Sequence, residues 1–451
     1  MYPIPIFGWD NIMGCKKNQQ SKHKFEEELC KLFPPQWLRN TAKETGMVKR
    51  RRKVDPVAIF WVLVLSFGVG MQRTLVSLKR SYEREGDTIL SDSSWYDRFS
   101  PEMVLYLKTC VIHGIEYLAK TGHRKLSGKL RYFKDVLIQD STIIRLHKAL
   151  TKKWPAARTR KVAAGVKVSV LVSAVANSMK SVSLFGERTH DIKTLRIGPW
   201  VKDRILLIDL GFYKYHIFTR IVENGGFFVS RLKGTADPII VSVNSICRGR
   251  SIDVVGKRVS EVLPKLKRQI VDVEVEVQIK RGRYKGKQRK DTVQFRLIAV
   301  YNEEARKYHT YLTSIPYDVL KSEEIASLYG ARWEVELIFK ELKSRYALDM
   351  IKTTNAKIVE ALIWVAILTL LVSRLIYNLV RTMAAAKGKE VVRFTHLRWS
   401  TIFSETAGKH LTALLHYLNI KMDLMDFYNL YDCQAFDPHV NRQRFREEWW
   451  A

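Results

Sequence analysis

Two aspartates of this sequence lie in apolar runs where a carboxylate needs a partner. Asp140 interrupts the β-rich run 136–144, and Asp209 directly follows the apolar run 205–208. A buried carboxylate is costly unless another group compensates its charge. Neighbouring strands of one sheet could bring the two aspartates within a few ångströms of each other. They would then repel unless a divalent cation lay between them.

A third acidic residue, Glu336, stands in the stretch SLYGARWEVELIFKELKSRYALD, residues 327–349. The apolar residues of this stretch follow helical spacing and predict a helix. A polar stripe about 60° wide lies beside the apolar stripe of that helix. The polar stripe holds Tyr329, Arg332, Glu336 and Lys343. Taken alone, such a stripe is typical of a solvated helix face with charge pairs.

Together, the three carboxylates predict metal-dependent chemistry on phosphodiesters. If the Glu336 helix packs against the sheet that carries the aspartates, the three suit one or two Mg²⁺ ions. A two-metal site activates a water or a 3′-hydroxyl and stabilises the leaving oxygen. Arg332 and Lys343 would then hold phosphate oxygens, and Tyr329 could donate a hydrogen bond to one. An isolated aspartate in either strand is equally typical of a turn or cap.

Sequence patterns divide the chain into five regions. Residues 1–130 predict a helical, basic region that either binds DNA ends or only packs. Strands and helices mix over 131–234 and predict the first part of an α/β core. A β-rich insertion is expected over 235–315, and the second part of the core, with the Glu336 helix, over 316–350. Residues 351–451 predict helices, with dimerisation as a candidate role.

The insertion contains two segments of strict apolar and polar alternation, 270–279 and 292–301. They predict a long antiparallel hairpin. Its tip, KRGRYKGKQRK at 280–290, carries seven basic residues and Tyr284. A tip of this charge is better suited to contacting phosphate than to packing.

The overall charge favours a polyanionic partner. Lys and Arg number 77 against 45 Asp and Glu, for a net charge of +32. Nucleic acid is the first candidate and an acidic membrane surface the second. The 46% apolar fraction is that of a globular protein.

The remaining composition indicates an intracellular protein. Five scattered cysteines without a CxxC pair argue against zinc knuckles and suit a reducing cytosol. The N-terminus shows no secretion signal. Two apolar runs, 57–71 and 361–373, are shorter than the ~20 residues of a membrane span and predict buried helices instead.

These residues resemble the IS4-type DDE transposases. The resemblance rests on Asp140 in QDST, on Asp209 in IDLGFYKY, and on a Y-(2)-R-(3)-E-(6)-K signature. In this chain the signature is Tyr329, Arg332, Glu336 and Lys343, without a gap. The segment SRLKG at 230–234 and the β-rich insertion are also similar, and the resemblance extends over about 90–380.

The resemblance implies an α/β, RNase H-like catalytic core interrupted by the β-rich insertion and flanked by helical regions. It implies cut-and-paste transposition by a homodimer that holds two double-stranded transposon ends, then joins them to target DNA. Asp140, Asp209 and Glu336 would bind two Mg²⁺ ions, with Mn²⁺ as an alternative. Tyr329, Arg332 and Lys343 would contact DNA near the cleaved end. A prokaryotic, cytoplasmic, nucleoid-associated protein is expected, with no membrane partner.

One departure concerns the flipped end base, which well-studied relatives stack on a Trp from the insertion. No Trp occurs between Trp200 and Trp333, so Tyr284 is the candidate substitute, although a tip aromatic without that role fits as well. The resemblance therefore implies end cleavage, whereas formation of a hairpin end requires another aromatic residue in place of this Trp. Arg231 and Lys233 are candidates to line the DNA path or to be surface charges.

Two further residues predict structural roles. Trp333 lies off the polar stripe and predicts packing, and Asp191, next to His190, predicts a helix start. Three alternative functions remain open from the sequence. They are a domesticated, non-cleaving DNA-binding protein, an RNase H-like nuclease without strand transfer, and a membrane-surface protein. The last leaves the three carboxylates unexplained.

Overall fold

In the part of the chain that the structure describes, nine strands form one continuous mixed sheet. The computed structural model describes residues 23–50, 54–69, 74–85, 89–121, 126–157, 163–245, 252–284, 287–346, 348–389 and 395–420. The strands are β1 (Asp135–Leu146), β2 (Ala164–Ser173), β3 (Ser178–Gly186), β4 (Arg204–Ile208), β5 (Phe227–Arg231), β6 (Ile239–Val243), β7 (Ile270–Tyr284), β8 (Lys287–Asn302) and β9 (Lys307–Thr313). Their order across the sheet is β3-β2-β1-β4-β5-β9-β8-β7-β6.

Helices precede, interrupt and follow the strands, as a mixed α/β fold requires. The α-helices are α1 (Lys24–Leu32), α2 (Pro35–Glu44), α3 (Pro56–Val62), α4 (Leu75–Glu85), α5 (Asp92–Tyr96), α6 (Pro101–Thr121), α7 (Asp191–Thr194), α8 (Tyr215–Glu223), α9 (Val259–Val262), α10 (Ser322–Gly330), α11 (Trp333–Ser344), α12 (Ala356–Ala386) and α13 (His396–Tyr417). The mixed α/β class predicted from the sequence is confirmed.

Strand directions divide the sheet into two halves. β1, β4 and β5 are parallel to one another, and β2 and β3 extend this half by antiparallel pairing. The predicted hairpin is confirmed as the antiparallel pair β7–β8. β9 pairs with both β5 and β8, so the hairpin belongs to the same sheet as the parallel strands. Lys285 and Gly286 of the predicted cationic tip, and the side chains of 280–288, lie outside the described residues.

Two apolar cores cover the two faces of the sheet. Because side chains alternate along a strand, β1 contributes Ile138 to one core and Leu137 to the other. The larger core joins one sheet face to the N-terminal helices and to α11, α12 and α13. The smaller core joins the opposite face to α8, through residues such as Phe218. The carboxylates of interest are positioned by the larger core.

The predicted buried helix over 361–373 is part of α12, which has 31 residues. By length and apolar composition this helix could cross a membrane, which the shorter run in the sequence did not indicate. However, 94% of its most apolar window is buried inside the protein. It packs against α6 and against the π-helical turn Leu63–Phe67 that continues α3. The run 57–71 predicted as a buried helix is likewise buried over Val57–Val69.

The prediction of one helix across 327–349 is wrong. α10 ends at Gly330, and α11 begins at Trp333, with Arg332 between them. Amide groups at this junction bond to carbonyls three residues back, as from Arg332 N–H to the Tyr329 carbonyl at 3.0 Å. Glycine lowers helix stability, and three-residue bonding tightens the turn. The junction therefore changes the direction in which Tyr329 and Glu336 point relative to each other.

Two buried ion pairs fix the helices on either side of this junction. Arg296 of β8 makes a bidentate contact with Asp272 of β7, and Ser322, the first residue of α10, donates to Asp272 at 2.6 Å. In α11, Glu341 pairs with Arg374 of α12 at 2.6 Å. Such pairs require good geometry and further hydrogen bonds to offset desolvation. They anchor α10 to the hairpin and α11 to α12.

Candidate active site

The register of β1 and β4 brings Asp140 and Asp209 to adjacent positions. The strands are parallel, and Gln139 pairs with Ile208, so the next residue on each is an aspartate. Asp140 alternates with Ile138 and therefore faces the core that contains α11. Apolar residues bury both strands within the sheet, and the parallel register places the two carboxylates side by side on one face.

α11 adds the third carboxylate. It contacts β1, and its buried residues Val335, Ile338 and Leu342 belong to the same apolar core as one face of that strand. The partly exposed face of the same helix carries Glu336. Helical spacing predicts these two faces, and packing against β1 directs the second one to the aspartates.

Arg332 is the shared partner of the three carboxylates. Its Nη2 donates to Glu336 Oε1 at 2.6 Å. Its Nη1 lies 3.7 Å from Asp140 Oδ2, and its Nε lies 3.9 Å from Asp209 Oδ1. Three residues that are far apart in the sequence thus surround one guanidinium.

Electrostatics at Asp140 are unfavourable to its charged form. Burial raises the pKa of Asp140 to about 6, and repulsion from Asp209 and Glu336 adds to that effect. The Ser141 backbone amide, which donates to Asp140 Oδ1 at 2.7 Å, and the Arg332 guanidinium act in the opposite direction. A carboxylate in such a position needs more positive charge than the protein supplies there.

The donor set fits divalent cations of the magnesium type. Three carboxylates supply hard oxygen ligands, and their side chains are between one fifth and two fifths exposed, so an ion can reach them. Among the described residues, no three acidic, His or Cys side chains are close enough together to form a ready-made metal cluster. Arg332 is instead the cation on which the three carboxylates converge, so they must rearrange to hold a metal.

Tyr329 lies beside this cluster with an unpaired hydroxyl. Its ring centre is 5.9 Å from the Arg332 Cζ and 5.5 Å from the ring centre of Tyr311. Burial, with the nearby Asp209 carboxylate, raises the pKa of Tyr329 to about 12. Its hydroxyl is buried, and the described residues offer it no hydrogen-bond partner. Because an unsatisfied buried hydroxyl costs roughly 1–3 kcal/mol, this group is suited to bind a ligand.

Two other predicted basic residues lie close to the carboxylates. Lys343 Nζ donates to the backbone carbonyl of Ile143 at 3.2 Å, three residues along β1 from Asp140. Arg231 ends β5, is exposed, and pairs in register with Tyr311, whose ring contacts Tyr329. Both therefore border the carboxylate cluster.

The remaining predicted residues are less closely placed. Lys233 is exposed in the loop after β5. Tyr284 ends β7, and its side chain lies outside the described residues.

The packing role predicted for Trp333 is wrong, since its side chain is 58% exposed. Trp333 begins α11, directly after Arg332 in the sequence, and carries an exposed aromatic ring. The sequence contained one signal for this, namely that Trp333 lies outside both the apolar and the polar stripe of the helix. A residue outside the apolar stripe is expected to face solvent.

Most of the described sheet and α11 fall in a segment that is similar to one known protein family. The sequence model of one protein family, the transposase DDE domain, matches residues 131–372. The transposase for insertion sequence element IS231F of Bacillus thuringiensis subsp. israelensis is 20% identical over 409 residues, which cover 83% of this chain and 84% of that protein. The transposase for IS231D of Bacillus thuringiensis subsp. finitimus is 23% identical, with 73% and 74% covered.

Two further proteins are similar over most of the chain. The transposase for insertion sequence element IS1151 of Clostridium perfringens is 21% identical, with 74% of this chain and 76% of that protein covered. Among solved structures, the cryo-EM structure of a piggyBac transposase synaptic complex with hairpin DNA is 10% identical, with a TM-score of 0.43. That match covers 88% of this chain and 81% of the other.

Proposed function

The chain belongs to the family of transposase DDE domains, and on that premise we propose that it cleaves and joins DNA with Asp140, Asp209 and Glu336. The observation that carries this proposal is the contact of all three carboxylates with Arg332. Relatives that match most of the chain are named as insertion-sequence transposases. The proposed substrate is double-stranded DNA at the ends of such an element.

The three carboxylates would hold two divalent ions, Mg²⁺ or Mn²⁺. When bound, such ions activate a water or a 3′-hydroxyl and stabilise the leaving oxygen of a phosphodiester. The protein contributes the placement of the ligands. β1 and β4 fix the two aspartates side by side, and α11 holds Glu336 opposite them. The raised pKa of Asp140 supports this assignment, because a nearby cation would favour its charged form.

Arg332, Tyr329 and Lys343 are proposed to hold the DNA near the bond that is cut. A guanidinium binds phosphate oxygens as well as it binds carboxylates. Arg332 can therefore exchange its carboxylate partners for a phosphate. The buried hydroxyl of Tyr329 can donate to a phosphate oxygen, and Arg231 and Lys233 extend the cationic surface along β5.

Trp333 supplies an exposed ring for an unpaired base. Aromatic rings stack on bases of any sequence because every base has a π-face. This position beside Arg332 makes Trp333 a better candidate for the flipped end base than Tyr284. Trp333, in the signature segment, would thus take the stacking role that relatives of the IS4 type assign to a Trp of the insertion.

The remainder of the chain is assigned by its charge and its place in the fold. We propose that β1–β5 with α11 form the RNase H-like core, and that the β-rich segment 235–315 is an insertion which extends its sheet. Residues 1–130 would bind the element ends, and 351–451 would contribute to a homodimer. A net charge of +32 suits a cytoplasmic protein that binds DNA.

Cleavage of DNA that carries the ends of the encoding element tests the proposal. Asp140→Asn, Asp209→Asn and Glu336→Gln should each abolish Mg²⁺-dependent cleavage and leave binding of the ends largely intact. Full activity in any variant would remove that residue from the site. Nicking without strand transfer would favour a nuclease, and binding without cleavage by the unaltered chain would favour a non-cleaving derivative.

A further inference from the structure

A charged cluster lies on the opposite face of the sheet from α11, behind the two aspartates. Side chains alternate along β1, so Ser141 points away from the face that Asp140 occupies. On the far face, Lys167 of β2 pairs with Asp191, the first residue of α7, at 2.7 Å between Nζ and Oδ1. Lys167 also donates to the Thr189 backbone carbonyl at 2.6 Å.

Among the ion pairs of the described residues that contain a lysine, this one has the most buried lysine. The Lys167 side chain is 7% exposed, and Asp191 is 31% exposed. A lysine so deep in a sheet is costly unless its charge is met by partners. An apolar residue at the same place in β2 would avoid that cost, since the other residues of this strand are buried as well. The pair therefore calls for an explanation beyond packing.

One carboxylate oxygen of Asp191 is linked to Asp140. Ser141 Oγ donates to Asp191 Oδ1 at 2.7 Å, while the Ser141 backbone amide donates to Asp140 Oδ1, also at 2.7 Å. Ser141 thus bridges the two acids across the sheet. Movement of Asp191 would move Ser141, and Ser141 fixes the orientation of the Asp140 carboxylate.

The other oxygen of Asp191 faces the segment that follows Asp209. Gly211 packs against it so closely that a Cβ there would lie 3.1 Å from Asp191 Oδ2. Asp191 therefore contacts the neighbours of both aspartates, one through each oxygen. Its distance to the two segments sets how far apart β1 and the turn after β4 can lie.

A surface pair at the start of β1 and β4 gives a direct contrast. Lys134, just before β1, pairs with Asp203, just before β4, also at 2.7 Å. Those side chains are 59% and 43% exposed. Exposed pairs of this kind contribute little, because water screens them. The two pairs thus share residue types and length but differ in burial and in their distance from Asp140.

We propose that Asp191 is a positioning residue for the two aspartates, held in place by Lys167. Through Ser141 it orients Asp140, and through Gly211 it holds the turn that presents Asp209. This inference rests on the proposed function, because it takes both aspartates to be metal ligands. Groups that orient metal ligands usually alter metal affinity when they are removed.

The test measures Mn²⁺ binding by the full chain with titration calorimetry, in the absence of DNA. Asp191→Ala should weaken Mn²⁺ binding by about 10–100-fold and leave the affinity for end DNA in EDTA unchanged. Asp203→Ala, the matched control, should change neither quantity. A purely structural role would lower the melting temperature without a selective loss of metal affinity.

Two smaller substitutions keep the test decisive if Asp191→Ala fails to fold. Ser141→Ala removes only the hydrogen bond that links Asp191 to the Asp140 side. Gly211→Ala adds a methyl group that displaces Asp191 only on the Asp209 side. Each should weaken Mn²⁺ binding, and Lys167→Arg, which preserves the charge, should retain most of it.

The outcomes separate the two hypotheses. If Asp140→Asn loses Mn²⁺ binding while the Asp191, Ser141 and Gly211 variants bind as the unaltered chain does, the positioning role is overturned. If Asp140→Asn itself binds Mn²⁺ normally, the proposed function fails, and this inference fails with it.

Discussion

α11 contributes the glutamates of two glutamate–arginine pairs that have equal length and opposite character. Glu336 and Arg332 lie 2.6 Å apart with side chains 33% and 15% exposed. Glu341 and Arg374 are also 2.6 Å apart, but their exposures are 0% and 1%. The same two residue types thus form one pair that solvent can reach and one that it cannot.

The surroundings of each pair explain what it can do. Glu341 also accepts a hydrogen bond from the Tyr346 hydroxyl at 2.9 Å, and burial raises its pKa against the effect of Arg374. Because this pair is buried, ions and phosphate cannot replace either partner. The pair therefore fixes α11 on α12. Glu336 and Arg332 are open to solvent and share their charges with two aspartates, so they can exchange partners with ions or phosphate. Equal distances therefore do not imply equal roles.

The most direct test of this difference is the same substitution, Glu to Gln, at positions 336 and 341. Glu336→Gln should lower cleavage by on the order of 10³-fold or more, because several kcal/mol of transition-state stabilisation depend on the metal ligands. Glu341→Gln should lower the free energy of unfolding by about 3 kcal/mol, because it leaves Arg374 buried without a countercharge. Cleavage assays and urea titrations of both variants provide the two measurements.

A double variant serves as the control for the buried pair. Glu341→Met with Arg374→Met removes both charges and should restore stability to within about 2 kcal/mol of the original. Normal cleavage by Glu336→Gln, or an unchanged urea midpoint for Glu341→Gln, would contradict the distinction between the two pairs.

Asp140, which lies beside the solvent-accessible Glu336–Arg332 pair, allows a test based on protein stability. Its folded pKa of about 6 lies above the ordinary value of about 4, so the charged form destabilises the fold above pH 6. Asp140→Asn should therefore raise the free energy of unfolding by ~2 kcal/mol at pH 7.5 without metal. The gain should shrink as the pH falls from 6 to 4, where the native carboxyl is protonated as well.

Thermal unfolding in EDTA across this pH range measures the effect. Asp318→Asn, at an exposed position, is the matched control and should show no gain. A destabilised Asp140→Asn at pH 7.5 would show that the carboxylate is held by partners rather than strained by burial.

Trp333 tests whether the open side of α11 binds a base. Trp333→Ala should weaken the complex with a nicked element end by about 1–2 kcal/mol, the order of one stacked base. Tyr132→Ala is the control, because Tyr132 is 70% exposed but lies before the start of β1, outside the signature segment. Equal effects of the two substitutions on affinity would argue against stacking at Trp333.

Lys343 should give the smallest effect. Lys343→Ala should weaken end binding uniformly across sequences and reduce the dependence of log affinity on log salt by about 1. Lys340→Ala, an exposed lysine of the same helix, is the control and should leave that slope unchanged. Affinities measured over a range of salt concentrations decide, and equal slopes for both variants would exclude a phosphate contact specific to Lys343.

The chemical types of the site residues and most of the helices and strands follow from local sequence patterns. Runs of β-branched residues predicted β1, β4 and the hairpin, because strand formation depends on local alternation and apolar content. The spacing of the signature predicted that Glu336 and Lys343 share a helix face, and α11 contains both. These features are local, and periodicity is enough to reveal them.

Which of several similar residues contact one another depends on how the sheet and the helices pack. The signature singles out Glu336 on this helix, but the partners of Glu336 and Glu341 follow only from the packing of α11, which gives Glu336 a guanidinium shared with Asp140 and gives Glu341 the Arg374 guanidinium. Lys343 reaches a carbonyl of residue 143, and Lys167 reaches the start of α7, through contacts of long sequence separation. Such contacts depend on how sheet and helices pack as whole bodies, which no local pattern encodes.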